Sequence, residues 1–237
     1  CGSCASRIDG ADGSGYVLTE ELGLSLVDPL PALVPLIGKE KYFSKWAGVR
    51  VEGRISLLKG TEVVDTQEGE LQLTDYGISG IPVFQCSALA ARLLKEGQKL
   101  TAVLDFLPAC TIEEIRRLLG KRREQCPYKS TAALLTGLFP EKLCQVLMEG
   151  KPDLFALAEK IKEFPVKIKK TKGFETAQVC TGGVSLSEVN PRTLECKRIP
   201  GLYLAGELLD TDGICGGYNL QWAWTTGACA GKEAAKC

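Results

Sequence analysis

The segment PGLYLAGELLDTDGICGG, residues 200–217, gathers residue types from which a ligand site is built. Its apolar run, Leu202 to Ala205, reads as a short strand. The strand leads into Gly206-Glu207, then Asp210, Asp212 and Gly213, then the pair Gly216-Gly217. In α/β folds ligands bind beyond the carboxyl ends of strands, where glycines let the backbone come close. A carboxylate placed there accepts hydrogen bonds from the hydroxyls of a sugar or sugar alcohol. The glycine pair also opens CGGYNLQWAWTTGACAGKEAA, residues 215–235, which reads as a helix. The first N–H groups of a helix have no intrahelical partner and carry positive partial charge. At Tyr218, Asn219 and Leu220 they could stabilise a carbonyl that gains negative charge on reduction. The other reading is a bare turn before a packed helix, with Glu207 and Asp210 on the surface. Within the helix, Gly227 and Gly231 are four apart, as are Ala230 and Ala234. A mid-helix glycine costs about 1 kcal/mol relative to Ala, so close packing against another backbone is expected there. Trp222 and Trp224 are expected in the core.

The absences narrow the chemistry. The 237 residues contain no His, which removes Ser-His-Asp and Cys-His nucleophiles. A catalytic role would need carboxylates, Lys, Tyr, a thiolate or a cofactor. Eleven cysteines lie scattered among apolar neighbours rather than in a framework. With no secretory signal, reduced and buried thiols in the cytoplasm are expected. Cys1-x-x-Cys4 is the one metal-like spacing; without a second pair it builds no zinc or iron–sulfur site, and no metal is expected. Lys plus Arg and Asp plus Glu both number 29, so nothing favours nucleic acid or an anionic membrane as partner. Lys167, Lys169, Lys170 and Lys172 alternate with apolar residues as the wet face of a strand would. No apolar run is long enough to span a bilayer.

The elements that must position these residues follow from period and punctuation. Residues 1–15 are glycine-rich, and a short helix near Tyr16 to Leu22 ends at Gly23. The Pro-spaced run DPLPALVPL, residues 28–36, reads as an extended linker. From Trp46 to Phe106 the period is two, which predicts a small antiparallel sheet or barrel with turns at Lys59-Gly60 and Glu68-Gly69. Cys86 to Leu94 fits a helix within it. Residues 111–163 read as helical: Thr111 and Glu114 form a capping box and Gly120 ends that helix. Two further helices run from Pro140 to Gly150 and from Pro152 to Glu163. Strands return at Val166–Lys170, Ala177–Cys180 and Gly201–Ala205. A glycine-rich opening and a strand–loop–helix ending thus bracket a β-rich and a helical block, as when one domain is inserted into another. The fold class is mixed α/β.

The stretch 177–235, with AQVCTGGVSLSEVNPRTLECKRIPGLYLAGELLDTDGICGGYNLQWAW, resembles the C-terminal part of the YhiN/BaiN-type, or aminoacetone oxidase, family of FAD-dependent oxidoreductases. Blocks of the form AQVTAGGVSLxEI, TLESKxxPGLYFAGEVLDVDG and GGYNLQWAWSSG are characteristic there. CGSCASRIDGADGSGY, residues 1–16, is similar to the family's TGGKSYPxTGSTGDGY, and TDYGISGIPVFQCS, residues 74–87, to THFGISGPAVLQLS. The resemblance covers the whole chain. It implies a discontinuous Rossmann-like FAD domain, residues 1–30 and 164–237, with a β-barrel-like insert at 31–110 and a helical segment at 111–163. It places Gly206 and Glu207 near the ribityl or pyrophosphate part, with Asp212 and Gly213 following. Gly216, Gly217, Tyr218, Asn219 and Leu220 would face the flavin O2 side, where reduced flavin gathers charge. Gly2 and Ser3 would lie in a turn facing the cofactor, and Gly182 and Gly183 near the ring.

Ser3 stands where the family has a second glycine, Ser14 where it has Asp, and Arg7 where it has Pro. No GxGxxG with an acidic residue about 20 positions later occurs in the chain. The expectation is therefore a portion of a flavoprotein, lacking the N-terminal segment that holds the ADP part of FAD and unable to hold FAD usefully alone. That segment would be its partner, and hydride transfer between a small organic substrate and flavin its chemistry. A non-catalytic module binding a partner or substrate is the second reading, and a Cys1/Cys4 thiol pair the third. No catalytic acid or base is assigned; Tyr76, Asp210 and Asp212 are the candidates nearest the expected cofactor edge.

Overall fold

A computed structural model of the chain describes residues 3–6 and 9–236. Cys1, Gly2 and Arg7, named above, lie outside the described residues. The chain forms two compact units: a bracketing unit, residues 1–34 and 172–237, and a central unit, residues 35–171. The bracketing unit opens with α1 (Ser14–Glu21) and β1 (Leu26–Ala32). The central unit then runs β2 (Leu36–Gly38), α2 (Phe43–Trp46), β3 (Val49–Lys59), β4 (Glu62–Leu73), β5 (Gly77–Ser79), α3 (Ile81–Lys95), β6 (Leu100–Asp105), α4 (Ile112–Gln125), α5 (Glu141–Leu147), α6 (Leu154–Lys162) and β7 (Phe164–Thr171). The bracketing unit resumes with β8 (Val179–Val184) and closes on α7 (Tyr218–Ala234).

The period-two region closes into a six-stranded antiparallel barrel, in the order β2-β5-β4-β3-β6-β7. Ile55, Leu57, Leu71, Leu73 and Val166 are buried within it, alternating with wetter neighbours, and Ile78 and Leu104 join them. Each such side chain contributes roughly 1.5–3 kcal/mol by leaving water. Ile115, Leu119, Leu143, Leu147, Leu157 and Ile161 of the three helices join the same apolar core. The capping box forms as read: Glu114 N–H donates to Thr111 Oγ1 at 3.2 Å, and Thr111 N–H to the Glu114 carboxylate at 2.8 Å.

Several expected boundaries move. Residues 164–171 close the barrel as β7 instead of opening the bracketing unit, because their buried face (Phe164, Val166, Ile168) fills the barrel core. Glu68-Gly69 is no turn: β4 continues through it, with Gly69 paired to Gly53 at φ 145°. Gly120 lies inside α4, since the helix carries on to Gln125. The front of DPLPALVPL is no linker but strand β1, antiparallel to β8 from Leu26↔Val184 to Ala32↔Val179. Gly201–Ala205 forms no strand; Gly201 turns at φ 81°, Tyr203 makes an isolated bridge to Glu195, and Leu204 enters a small core with Val184 and Leu209. At Gly227 and Gly231 an added Cβ would meet nothing within 4 Å, so the expected close packing is not made within the described residues.

Between β6 and α6 a buried ion pair joins Lys162 Nζ to Asp105 Oδ2 at 2.6 Å, with Nζ also donating to the carbonyls of Leu107 and Cys110. Removing one partner strands the other charge out of water. Asp105→Ala is expected to cost about 3–5 kcal/mol in urea unfolding; a loss below about 1 kcal/mol, as for an exposed pair, would contradict this.

Candidate functional site

The site is built in the bracketing unit, where the turn Gly206–Leu208 lies under the start of α7. Gly206 N–H donates to Thr226 Oγ1 at 2.9 Å, and the Trp222 indole N–H to Gly206 O at 3.1 Å. From α1, the buried Tyr16 hydroxyl donates to Glu207 O at 3.0 Å. From β8, Cys180 N–H donates to the Glu207 carboxylate. Burial pushes the Glu207 carboxyl above the usual range, reinforced by nearby Asp212 and opposed by hydrogen bonds from Cys180 and Ser3. Burial also raises the Tyr16 phenol, and pushes the Cys180 thiol up to about 11.

Above this turn, the loop to α7 is locked by Asn219. Its Oδ1 accepts from Gly213 N–H at 2.8 Å and its Nδ2 donates to Gly213 O at 3.0 Å. Gly216 and Gly217 then pass through the left-handed region at φ 120° and 91°, a path that costs other residues about 1–2 kcal/mol. Gly217 caps α7, and among the described residues no side chain bonds to the free amides of the first turn. A cavity of about 420 Å³ opens there, lined by Glu207, Gly216, Gly217, Asn219 and Leu220 together with Leu33, Gln178, Val179, Ile214, Cys215 and Ala223. That volume lies within the ~300–1,000 Å³ of small-molecule sites. Free amides, positive partial charge and apolar walls with one carboxyl suit a flat ring bearing carbonyl oxygens, which is the shape and chemistry of a flavin.

Of the expected cofactor residues, Glu207, Gly216, Gly217, Asn219 and Leu220 are brought together on this cavity. Ser3 is buried, does not line the cavity, and acts on the Glu207 carboxyl by lowering its pKa. Gly206 anchors the turn, Gly213 the loop, and Tyr218 is exposed at the helix start. Asp212 accepts from Thr181 Oγ1 at 2.7 Å. Gly182 and Gly183 do not line the cavity; they are buried where an added Cβ would strike backbone, Asp28 O at 2.6 Å and Leu208 O at 2.7 Å respectively. Asp210 N–H bonds to Val184 O, and Tyr76 lines a cleft of the central unit with Arg50 and Asp75. Trp222, expected in the core, is half-buried, packs against the small core and is held by Gly206, whereas Trp224 is 68% exposed, because it falls on the side of α7 turned away from the turn. Leu33, Gln178 and Val179 escaped the sequence reading; they come from chain segments far from the helix, without a motif of their own. Tyr16 was placed only as a helix start, although its phenol reaches across 191 positions to Glu207.

Among the described residues no three His, Cys, Asp or Glu side chains gather to hold a metal ion, and no helix is long and apolar enough to cross a membrane.

Glu207 gives a measurable consequence. Its folded pKa lies above the unfolded value, so its contribution is fully present below the unfolded pKa and is lost as pH rises through the folded one. Glu207→Gln, which keeps an acceptor for Cys180 N–H, should gain stability relative to the parent as pH rises from about 4 to about 7.5 in urea unfolding. A difference that does not change with pH would contradict a carboxyl raised by the fold.

A family model described as the HI0933-like protein Rossmann domain matches residues 1–233. A 3-dehydro-bile acid delta(4,6)-reductase of Clostridium scindens is 45% identical over 249 positions, covering 100% of this chain and 61% of that protein. Ribosomal RNA dihydrouridine synthases of Haemophilus influenzae and Escherichia coli are 30% and 31% identical, each covering 93% of this chain and 56% of the relative. The chain thus spans roughly three fifths of the length of the curated relatives it matches. It belongs to the HI0933-like family, with which the YhiN/BaiN-type resemblance of its sequence agrees.

Proposed function

We propose that this chain is the ring-side portion of an FAD-dependent oxidoreductase acting on a small organic substrate. The observation that carries the reading is the uncapped start of α7 opening onto the 420 Å³ cavity. When bound, the flavin supplies hydride transfer. This chain's own residues position and tune. The amides of Tyr218, Asn219 and Leu220 orient a carbonyl oxygen and stabilise charge on it. The left-handed Gly216-Gly217 path keeps side chains out of the approach. Buried Leu33 and Val179 give the cavity a dry wall, and Glu207 holds a proton at its carboxyl to higher pH than a solvated glutamate.

The names of the relatives describe adding hydrogen to unsaturated rings, which supports a reductive direction. The equal count of 29 basic and 29 acidic residues favours a small molecule over a polyanion. The nucleotide half of FAD needs a GxGxxG-bearing segment, which we take as the partner. The exposed face of α7 with Leu220 and Trp224, 60% and 68% accessible, offers it an apolar surface. The described thiols, all unbridged, suit a reducing cytoplasm.

Co-expression with the N-terminal segment of a family member should yield a yellow complex that keeps flavin through purification. Gly217→Val, which projects into open space ahead of the helix, should lose the flavin while both chains stay folded by thermal melting. A colourless complex, or flavin retained equally by the variant, would overturn the reading and leave the non-catalytic module in its place.

A further inference from the structure

The helical part of the central unit contains two adjoining hollows that the flavin chemistry leaves unused. One, of about 400 Å³, is walled by Ala132, Ala133, Phe139 and Cys144, with Glu141 on its lining. The other, of about 240 Å³, is lined by Arg122, Gln125 and Lys129. They share Ala133 and Thr136, so the two adjoin along that edge. Arg122 is fixed in place: Nη1 donates to Leu134 O at 2.6 Å and to Thr136 O at 3.0 Å, which leaves the rest of its fork for a ligand. Neither Arg122 nor Lys129 is paired with a carboxylate among the described residues. The Cys144 thiol is satisfied by the carbonyls of Leu135 and Phe139, so it presents an apolar wall and not a reactive group.

We propose that the two hollows form one binding site for a small amphipathic carboxylate. Its carboxylate sits between Arg122 and Lys129, and its apolar body lies against Ala133, Phe139 and Cys144. A guanidinium held beforehand loses little freedom on meeting a carboxylate. Glu141 lines only the apolar hollow and repels an anion from that end, which fixes the ligand's direction.

Isothermal titration of the chain with 4-phenylbutyrate tests this, with the uncharged 4-phenylbutanol as comparison. One equivalent of the acid should bind, and the alcohol should bind about tenfold more weakly, the scale of one lost charge-assisted hydrogen bond. Lys129→Glu, at an exposed and unpaired position, should weaken the acid by at least about tenfold without shifting the melting temperature. Ala133→Leu, which fills the shared edge, should abolish binding. Gly217→Val at the α7 cavity should leave it unchanged, so that this site and the flavin site fail or stand separately. No saturable binding, equal binding of acid and alcohol, or indifference to Lys129→Glu would overturn the proposal. So would loss of binding in Gly217→Val, which would place the ligand at α7.

Discussion

The turn at Gly206-Glu207 is the point on which the bracketing unit depends. Four groups hold it: the Thr226 hydroxyl and Trp222 indole of α7, the Tyr16 hydroxyl of α1, and the Cys180 N–H of β8. Three elements distant in sequence therefore agree on the position of one turn. Each hydrogen bond contributes only about 1 kcal/mol net, but a buried member left without its partner costs more, so the four stand or fall together. Glu207 is half-buried, and the loss of water raises its carboxyl while the hydrogen bonds that hold it act in the opposite direction.

The start of α7 inherits its position from this turn. Trp222 and Thr226 fix the helix from below, while Asn219 ties the loop ahead of it to Gly213. With the side chain of Asn219 so engaged, and two left-handed glycines before it, no side chain among the described residues caps the helix. The unpaired amides are the product of a loop locked from its far side, and the cavity is the space that lock leaves open.

The chemistry-bearing end was readable because its information is local. Glycine pairs and a carboxylate after an apolar run act within a few residues, as does the capping box at Thr111 and Glu114 in the central unit. The barrel was readable as a period of two. What the sequence hid was long-range. Gly182 and Gly183 look like cofactor glycines, yet close neighbouring backbone and a positive φ at each account for them. Leu202 to Ala205 reads as a strand, but its partners are a single bridge and a small core. The assignment of β7 depends on β2 and β6, and no pattern inside β7 says which sheet it joins. Leu33 and Val179 reach the cavity only because β1 and β8 pair.

The central claim is that the open amides of α7 receive a flavin ring. Backbone amide shifts of the isotopically labelled chain, followed while lumiflavin is added, report on those groups directly and tolerate weak binding. The account predicts saturable shifts at Tyr218, Asn219 and Leu220, with smaller ones at Gly216 and Gly217. Shifts confined to the barrel, or none at the start of α7, would contradict it.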